Sequence, residues 1–176
     1  MALDHDMVKK ATEYAAEQHL GQTRKDEANT PYINHPIALA NLLTDYAGIT
    51  DTNVIVAALL HDTVEDTGTT VEDIEELFGT KIRDIVIEVT DDKSLPSPER
   101  KRLQIEHASK ISYEAKLVKL ADKICNLQDI IASPPKKWSL LRKQEYFDWA
   151  KAVIDQLRGT NEKLEALFDE VYAKKP

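Results

Sequence analysis

The sequence predicts an all-α protein, a single-domain helical bundle. Apolar residues recur at helical spacing along nearly the whole chain, and no second alternating segment is present to pair with its one strand-like run. With 176 residues and 42% hydrophobic content, the chain is long enough for one domain with a substantial core. We expect one domain over residues 1–176, with a core at about 4–157 and a C-terminal helix at about 161–173.

The first predicted helices are supported by apolar spacing and by their starting residues. Segment 4–20 places apolar residues three to five positions apart, and segment 36–47 opens with Pro36, which suits a first helical turn. Asp51 is a good N-cap for a helix over 51–63, whose run VIVAALL has few polar interruptions. This third helix is therefore the candidate for the centre of the bundle.

The later helices follow turn residues. Thr69 or Thr70 is expected to cap a helix over VEDIEELF, which Gly79 ends. The β-branched segment 82–89 could be a strand, but a lone strand has no partner, so we predict a buried helix there. The remaining predicted helices cover 80–90, 99–110, 113–130, 138–157 and 161–173, and the predicted loops cover 94–98 and 133–135.

Composition narrows the class of protein. A net charge of −8 argues against nonspecific nucleic-acid binding, which depends on many basic contacts to phosphate. The single cysteine, Cys125, fits a reducing compartment, and the first ten residues carry acids where a leader peptide needs bases. No run approaches the roughly 18 apolar residues of a membrane span. We expect a cytoplasmic protein without a membrane or nucleic-acid partner, and no protein partner is implied. If the substrate is anionic, the site must supply its own local cations.

The stretch HDTVED, residues 61–66, places four ionisable side chains behind an apolar run. On a continuous helix, His61 would lie above Glu65, and Asp62 would lie above both Glu65 and Asp66. Burying such charges is costly unless they are paired or bind a cation. A divalent cation would remove the conflict, but His61 and Asp62 supply only two ligands.

Two other segments offer further ligands. His35 stands directly before Pro36 at a predicted helix entry, and Asp122 interrupts an otherwise apolar helix face in KLVKLADKICNLQ. Asn126 would lie one turn beyond Asp122 on the same face. Two histidines and two carboxylates suit manganese, iron or zinc, with water completing the coordination.

Each of these residues also has an ordinary interpretation. An HD dipeptide arises often by chance, His35 could be a helix-entry residue, and Asp122 could form a surface ion pair with Lys119 or Lys123. The other histidines are not part of such a group of unusual placements and are predicted to be surface residues: His5, His19 and His107.

The order of His35, His61 with Asp62, and Asp122 resembles that of the HD-domain metal phosphohydrolases. More narrowly, the chain resembles the hydrolase domain of the RelA/SpoT alarmone enzymes, and especially the short animal form that consists of this domain alone. The similar stretches are RKDEANTPYINHPI, AALLHDTVEDT, FGTKIRDIVIEVTDDK, ERKRLQ and KLVKLADKICNL, which together span most of the chain.

This resemblance implies an all-α bundle of the HD type that hydrolyses the 3′-pyrophosphate of guanosine tetra- or pentaphosphate. It also implies that Glu65 and Asp66 are the catalytic pair. Relatives of the short animal form are associated with removal of the 2′-phosphate of NADPH as well. The implied ligands of one Mn²⁺ ion are His35, His61, Asp62 and Asp122.

Candidate substrate-binding residues come from three segments. The resemblance assigns nucleotide contacts to Arg24 and Lys25, and a guanidinium can both stack on a base and bind phosphate. Asn126 could hydrogen-bond a ribose or a base. Arg142 and Tyr146, one turn apart, could line the same cleft or simply belong to the core.

One position departs from the short animal form, which carries a lysine in the loop before ERKR where this chain has Ser97. A phosphate contact would be missing there. Its absence would affect removal of the 2′-phosphate of NADPH and the preference among substrates more than the metal chemistry.

Two alternatives for the function of the protein stay open. One is another HD enzyme, such as a 5′-nucleotidase or deoxynucleotide hydrolase; the other is a non-catalytic helical module with an acidic surface patch.

Overall fold

The computed structural model describes residues 2–176, which are helical and contain no β-strand, so the predicted all-α class is confirmed. A π-helical segment, Leu42–Tyr46, follows the second helix, and a 3-10 turn, Ala108–Lys110, follows the seventh. The α-helices are α1 (His5–Gln18), α2 (Asn34–Asn41), α3 (Thr52–Leu60), α4 (Thr63–Asp66), α5 (Val71–Phe78), α6 (Thr80–Glu88), α7 (Ser97–His107), α8 (Tyr113–Ala132), α9 (Leu140–Asp155) and α10 (Glu162–Tyr172).

Helix α3 is the centre of the bundle, as predicted. Every residue from Val54 to Leu60 is buried, and α3 packs against α1, α2, α6 and α8. A helix that is apolar on all sides is stable only when neighbours cover its whole circumference. The Asp51 carboxylate caps its start by accepting a hydrogen bond from the backbone N–H of Asn53.

The segment with strand-like composition is helical, as predicted. Thr70 and Asp73 form a reciprocal capping box at the start of α5, and Gly79, with φ of 94°, turns the chain directly into α6. Helix α6 then buries one face with the spacing of three and four residues that a helix requires. The buried residues are Ile82, Ile85 and Val86.

The helix predicted over 51–63 is shorter than expected and ends at Leu60. The imidazole Nδ1 of His61 lies 2.7 Å from the carbonyl oxygen of Ala58, and the Thr63 hydroxyl donates to the carbonyl of Leu60 at 2.7 Å. These side chains form hydrogen bonds to carbonyl oxygens that would accept from backbone N–H groups if the helix continued. The chain therefore turns before α4 begins. The expectation that HDTVED lies on one continuous helix is therefore wrong.

Two other boundaries differ from the predictions. Ser97 and Pro98 belong to the first turn of α7, although 94–98 was expected to be a loop. Proline is tolerated there because the first-turn N–H groups have no partner within a helix. The predicted helix over 36–47 starts earlier, at Asn34, and its last turn is π-helical.

The C-terminal helix α10 joins the same core. It packs along α8, the longest helix, and contributes Leu164, Phe168 and Val171 to the connected set of buried residues. Among the described residues, no helix is long and apolar enough to cross a membrane. Helices α2, α3 and α8 are mutually packed, and the residues at their contacts form the site.

Candidate active site

The four predicted metal ligands meet where α2, the end of α3 and α8 converge. The Nε2 atom of His35 lies 2.9 Å from Oδ1 of Asp122. The Nε2 atom of His61 lies 2.9 Å from Oδ2 of Asp62 and 3.5 Å from Oδ1 of Asp122. Three distant segments therefore place two imidazoles and two carboxylates around one point.

The hydrogen bonding of His61 suits a metal ligand. Its Nδ1 donates to the carbonyl of Ala58, so in the neutral imidazole the lone pair is on Nε2. That Nε2 is buried and has no well-directed hydrogen bond within residues 2–176, although it faces the carboxylates of Asp62 and Asp122. A lone pair aimed at carboxylate oxygens is unfavourable unless a cation lies between them, so these residues fit a divalent ion.

The charges of the site point in the same direction. Burial alone would lower the pKa of His61, but the Asp62 carboxylate raises it well above its ordinary value. Burial opposes ionisation of Asp62 and Asp122, yet the adjacent His61 and Lys123 charges hold both pKa values below the usual range. Two ionised carboxylates need positive charge beside them, which Lys123 and a proton on His61 supply, and a metal ion would take the place of that proton.

Tyr32 supports this cluster and was not predicted. Its hydroxyl donates to Oδ2 of Asp62, and burial together with that carboxylate raises its pKa. The ring of His19 packs against it, with centroids 4.8 Å apart, while Nδ1 of His19 lies 2.8 Å from Oε1 of Gln22. The prediction that His19 is a surface residue is wrong, because the loop after α1 folds back over it and leaves it 2% exposed. His5 and His107 are exposed as expected.

Glu65 and Asp66 lie beside the metal ligands on the single turn of α4. Carboxylate oxygens of Asp62, Glu65 and Asp66 lie within 4.8 Å of one another. Burial raises the pKa of Glu65 to about 7, although the backbone N–H of Asp91 donates to it at 2.7 Å. Asp66 forms an ion pair with Lys93. A part-buried carboxylate with a raised pKa, here Glu65, suits acid–base work on a water molecule.

The cleft has two connected parts. A cavity of about 220 Å³, called here the metal pocket, contains the four candidate ligands together with Glu65 and Asp66. A cavity of about 450 Å³, called here the aromatic pocket, is lined by Trp138 and Tyr146, whose ring centroids are 5.6 Å apart. The residues shared by both pockets are Arg24, Tyr32, His35 and Asn126.

Arg24 and Asn126 stand at the junction of the two pockets. The guanidinium of Arg24 donates to Oδ1 of Asn126 and to Oδ2 of Asp129, both at 3.2 Å. It also lies over the Tyr32 ring, 5.6 Å from the centroid. The amide of Asn126 donates to Oδ1 of Asp122 at 3.2 Å, which connects this junction to the metal pocket.

The structure separates the other candidate substrate contacts. Lys25 and Tyr146 line the aromatic pocket, with Lys25 exposed at its rim. Arg142 is exposed outside both pockets, and its guanidinium lies 4.4 Å from the centroid of the Trp138 ring. The cleft therefore brings together Arg24, Lys25, Asn126 and Tyr146 and leaves Arg142 at its edge.

Two lysines that line the metal pocket were missed as site residues. Lys119 and Lys123 are 7% and 3% exposed, so the alternative of a surface ion pair with Asp122 is wrong. The ammonium of Lys123 lies 3.4 Å from Oδ2 of Asp122 and 4.1 Å from the Trp149 ring centroid. The signal was their spacing relative to Asp122 and Asn126 on one face of an otherwise apolar helix.

Comparisons with known proteins identify the family of this chain. The family model described as HD domain matches residues 11–148. Guanosine-3′,5′-bis(diphosphate) 3′-pyrophosphohydrolase MESH1 of Xenopus tropicalis is 56% identical over 172 residues, covering 98% of this chain and 96% of its own length. The Homo sapiens MESH1 is 54% identical over 165 residues, covering 94% and 92%. A solved metazoan orthologue of SpoT, described as hydrolysing ppGpp and playing a role in starvation responses, has a TM-score of 0.95 at 49% identity and covers 99% of this chain and 98% of its own.

Proposed function

The chain belongs to the HD-domain family and, within it, to the MESH1 pyrophosphohydrolases, and from this premise we propose that it removes the 3′-pyrophosphate of guanosine tetra- or pentaphosphate. The products are GDP or GTP and pyrophosphate. The observation that carries the proposal is one cleft that joins a metal-ligand cluster to a pocket with aromatic and basic side chains. The first suits phosphoryl transfer, and the second suits a nucleoside.

We propose Mn²⁺ as the cofactor, held by His35, His61, Asp62 and Asp122. The mixed nitrogen and oxygen ligand set supports this choice, as does the buried, unpartnered Nε2 of His61. When bound, the ion would polarise phosphoryl oxygens and lower the pKa of water.

The protein's own carboxylates would handle the proton. We assign to Glu65 the role of general base, since a pKa of about 7 balances basicity against ionisation near neutral pH. Asp66, held by Lys93, would orient the attacking water. The water oxygen gives a proton to Glu65 and forms a bond to the phosphorus next to the ribose, while the bond from that phosphorus to the 3′-oxygen breaks. The 3′-oxygen leaves with the proton that Glu65 took from the water.

The aromatic pocket would bind the nucleoside. The rings of Trp138 and Tyr146 offer flat apolar surface to a base, and Asn126 offers hydrogen bonds to a ribose or base. Arg24 and Lys25 would meet phosphate oxygens, and Arg142 at the rim would reach parts of the substrate that project outward. These side chains supply positive charge at the cleft, which an anionic substrate needs because the chain as a whole has a net charge of −8.

We further propose that residues 1–176 act as a single domain, with a core at about 4–157 and the C-terminal helix at about 161–173. The connected set of buried residues supports this, since it includes side chains from eight helices, α1 to α3, α5, α6 and α8 to α10, and Val64 of α4 and Ile105 of α7 pack against it. A cytoplasmic location is part of the proposal and is supported by the single cysteine, Cys125.

One assay separates this function from its rivals. Purified protein with Mn²⁺ is incubated with guanosine tetraphosphate, NADPH and a set of nucleoside 5′-monophosphates, and the products are identified chromatographically. Release of pyrophosphate from the 3′ position supports the proposal. Orthophosphate from a 5′-monophosphate would instead identify a 5′-nucleotidase of the HD family, and no release from any substrate would favour a non-catalytic module.

A further inference from the structure

Lys119 is a buried cation without a partner. The residue is 7% exposed, and its ammonium forms no ion pair or hydrogen bond with any of residues 2–176. Burial and the nearby charge of Lys123 lower its pKa to about 8. An unpaired buried charge is unfavourable, and a bound anion would offset that cost.

The acidic groups near Lys119 are engaged elsewhere. The carboxylate of Asp91 accepts a hydrogen bond from Nε2 of Gln104 at 2.7 Å, and Glu65 accepts one from the backbone N–H of Asp91 at 2.7 Å. Asp122 is bonded to His35 and Asn126. The three donors of the ammonium are therefore available to a ligand that enters the cleft.

Helix α8 arranges the cleft in a fixed order. Lys119, Asp122 and Asn126 are spaced by three and four residues, so they share one face of the helix. A rise of about 1.5 Å per residue separates Lys119 from Asp122 by about 4.5 Å along the axis and from Asn126 by about 10 Å. Asn126 lines the aromatic pocket, and Asp122 is one of the candidate metal ligands. Lys119 lies past Asp122 along the helix, on the side away from the aromatic pocket.

The cleft also has room beyond the metal cluster. A third cavity, of about 200 Å³, continues past the metal pocket and shares Lys119, Asp91 and Gln104 with it. Arg100 also lines this third cavity. A substrate group that extends beyond the reacting phosphorus would therefore meet the ammonium of Lys119 rather than a closed wall.

We propose that Lys119 binds the terminal phosphate of the 3′-pyrophosphate group and makes the site selective for diphosphates over monophosphates. This rests on the proposed function, since the substrate would lie along α8 with its nucleoside at Asn126 and its terminal phosphate at Lys119. A 3′-monophosphate ends at the metal cluster and does not reach the ammonium. A charge-assisted hydrogen bond to phosphate would then be made by one substrate class only.

The test compares Lys119→Met with wild type on two nucleotides: guanosine tetraphosphate and guanosine 5′-diphosphate 3′-monophosphate. The variant should lose about 10- to 100-fold in kcat/KM on the 3′-diphosphate, the range expected for one charge-assisted bond. Its kcat/KM on the 3′-monophosphate should stay within about twofold of wild type. Lys116→Met, one turn earlier on α8, is the matched control and should leave both values unchanged.

Two further measurements do not depend on turnover. In calorimetry with Mn²⁺ present, wild type should bind inorganic pyrophosphate more tightly than orthophosphate, and Lys119→Met should lose that preference. The variant should also have a raised Tm, because it removes an unpaired buried charge. Equal losses on both nucleotides, a lowered Tm or an unchanged preference for pyrophosphate would each overturn the assignment. If wild type fails to hydrolyse the 3′-diphosphate, the proposed function fails, while the calorimetry still tests Lys119.

Discussion

His35 and Asp122, 87 positions apart in the chain, meet with Nε2 of the imidazole 2.9 Å from Oδ1 of the carboxylate. One residue comes from α2 and the other from α8, so their contact joins two helices that pack against the central α3. Because both are candidate ligands, metal binding and the packing of these helices are expected to depend on each other.

The first prediction concerns stability. Asp122→Asn should abolish manganese binding and turnover, because it removes a charged ligand that contacts both histidines. In wild type, removal of the metal with a chelator should lower the free energy of unfolding by about 2.7 kcal/mol relative to a metal concentration 100 times the Kd. Thermal unfolding with and without chelator measures this difference. The variant should show no such difference, and a chelator effect of wild-type size in Asp122→Asn would contradict the ligand assignment.

The second prediction separates catalysis from metal binding. Glu65→Gln keeps the size of the side chain but cannot accept the proton of water, so kcat should fall by about 10²- to 10⁴-fold. Manganese content by elemental analysis should stay at the wild-type level. Loss of the metal in this variant would instead make Glu65 a ligand, an arrangement that the close grouping of Asp62, Glu65 and Asp66 would permit.

The third prediction concerns pH. Burial raises the pKa of Glu65 to about 7, so its basic form is lost as the pH falls through that value and kcat/KM should decline there. A bound cation would move this decline to lower pH, because it favours the carboxylate. Asp91→Asn removes a negative charge that raises the pKa of Glu65, and it keeps the backbone N–H that bonds to Glu65. At equal manganese concentration its decline should lie at lower pH than in wild type; an unshifted profile would exclude Glu65 as the titrating base.

The fourth prediction concerns Ser97. This exposed residue starts α7, at the position where the resemblance to the short animal form leads us to expect a lysine. Ser97→Lys should raise turnover of NADPH relative to guanosine tetraphosphate by restoring a phosphate contact. A cation at a helix start is unfavourable by about 0.3 to 1 kcal/mol, so a slightly lower Tm should accompany the change. Ser94→Lys in the preceding loop is the control, and equal substrate ratios in all three proteins would reject a phosphate contact at position 97.

Spacing in the sequence predicted most of the helices and the candidate ligands that meet at the site. The ionisable side chains of HDTVED follow the apolar run of α3 directly, and Asp122 interrupts an apolar helix face. Both features place charges in segments that are otherwise suited to burial, and buried charges require a partner. The sequence pattern therefore offered His35, His61, Asp62 and Asp122 as candidate ligands, and the resemblance completed the ligand set and assigned Glu65 and Asp66 as the catalytic pair.

Long-range side-chain contacts could not be predicted in the same way. The end of α3 at Leu60 depends on His61 and Thr63 bonding to carbonyl groups, which competes with a strong helical pattern. The position of Tyr32 against Asp62 depends on how the loop after α1 folds back, and no local spacing encodes it. Lys119 looked like an ordinary surface lysine because its burial depends on neighbours distant in sequence.

The central claim is tested most directly by ³¹P NMR of guanosine tetraphosphate incubated with the wild-type protein and Mn²⁺. We predict that the substrate resonances disappear while those of GDP and pyrophosphate grow in equal amounts, with Asp122→Asn showing no change. Growth of orthophosphate alongside a 3′-monophosphate nucleotide, or an unchanged spectrum with metal-loaded wild type, would contradict the account.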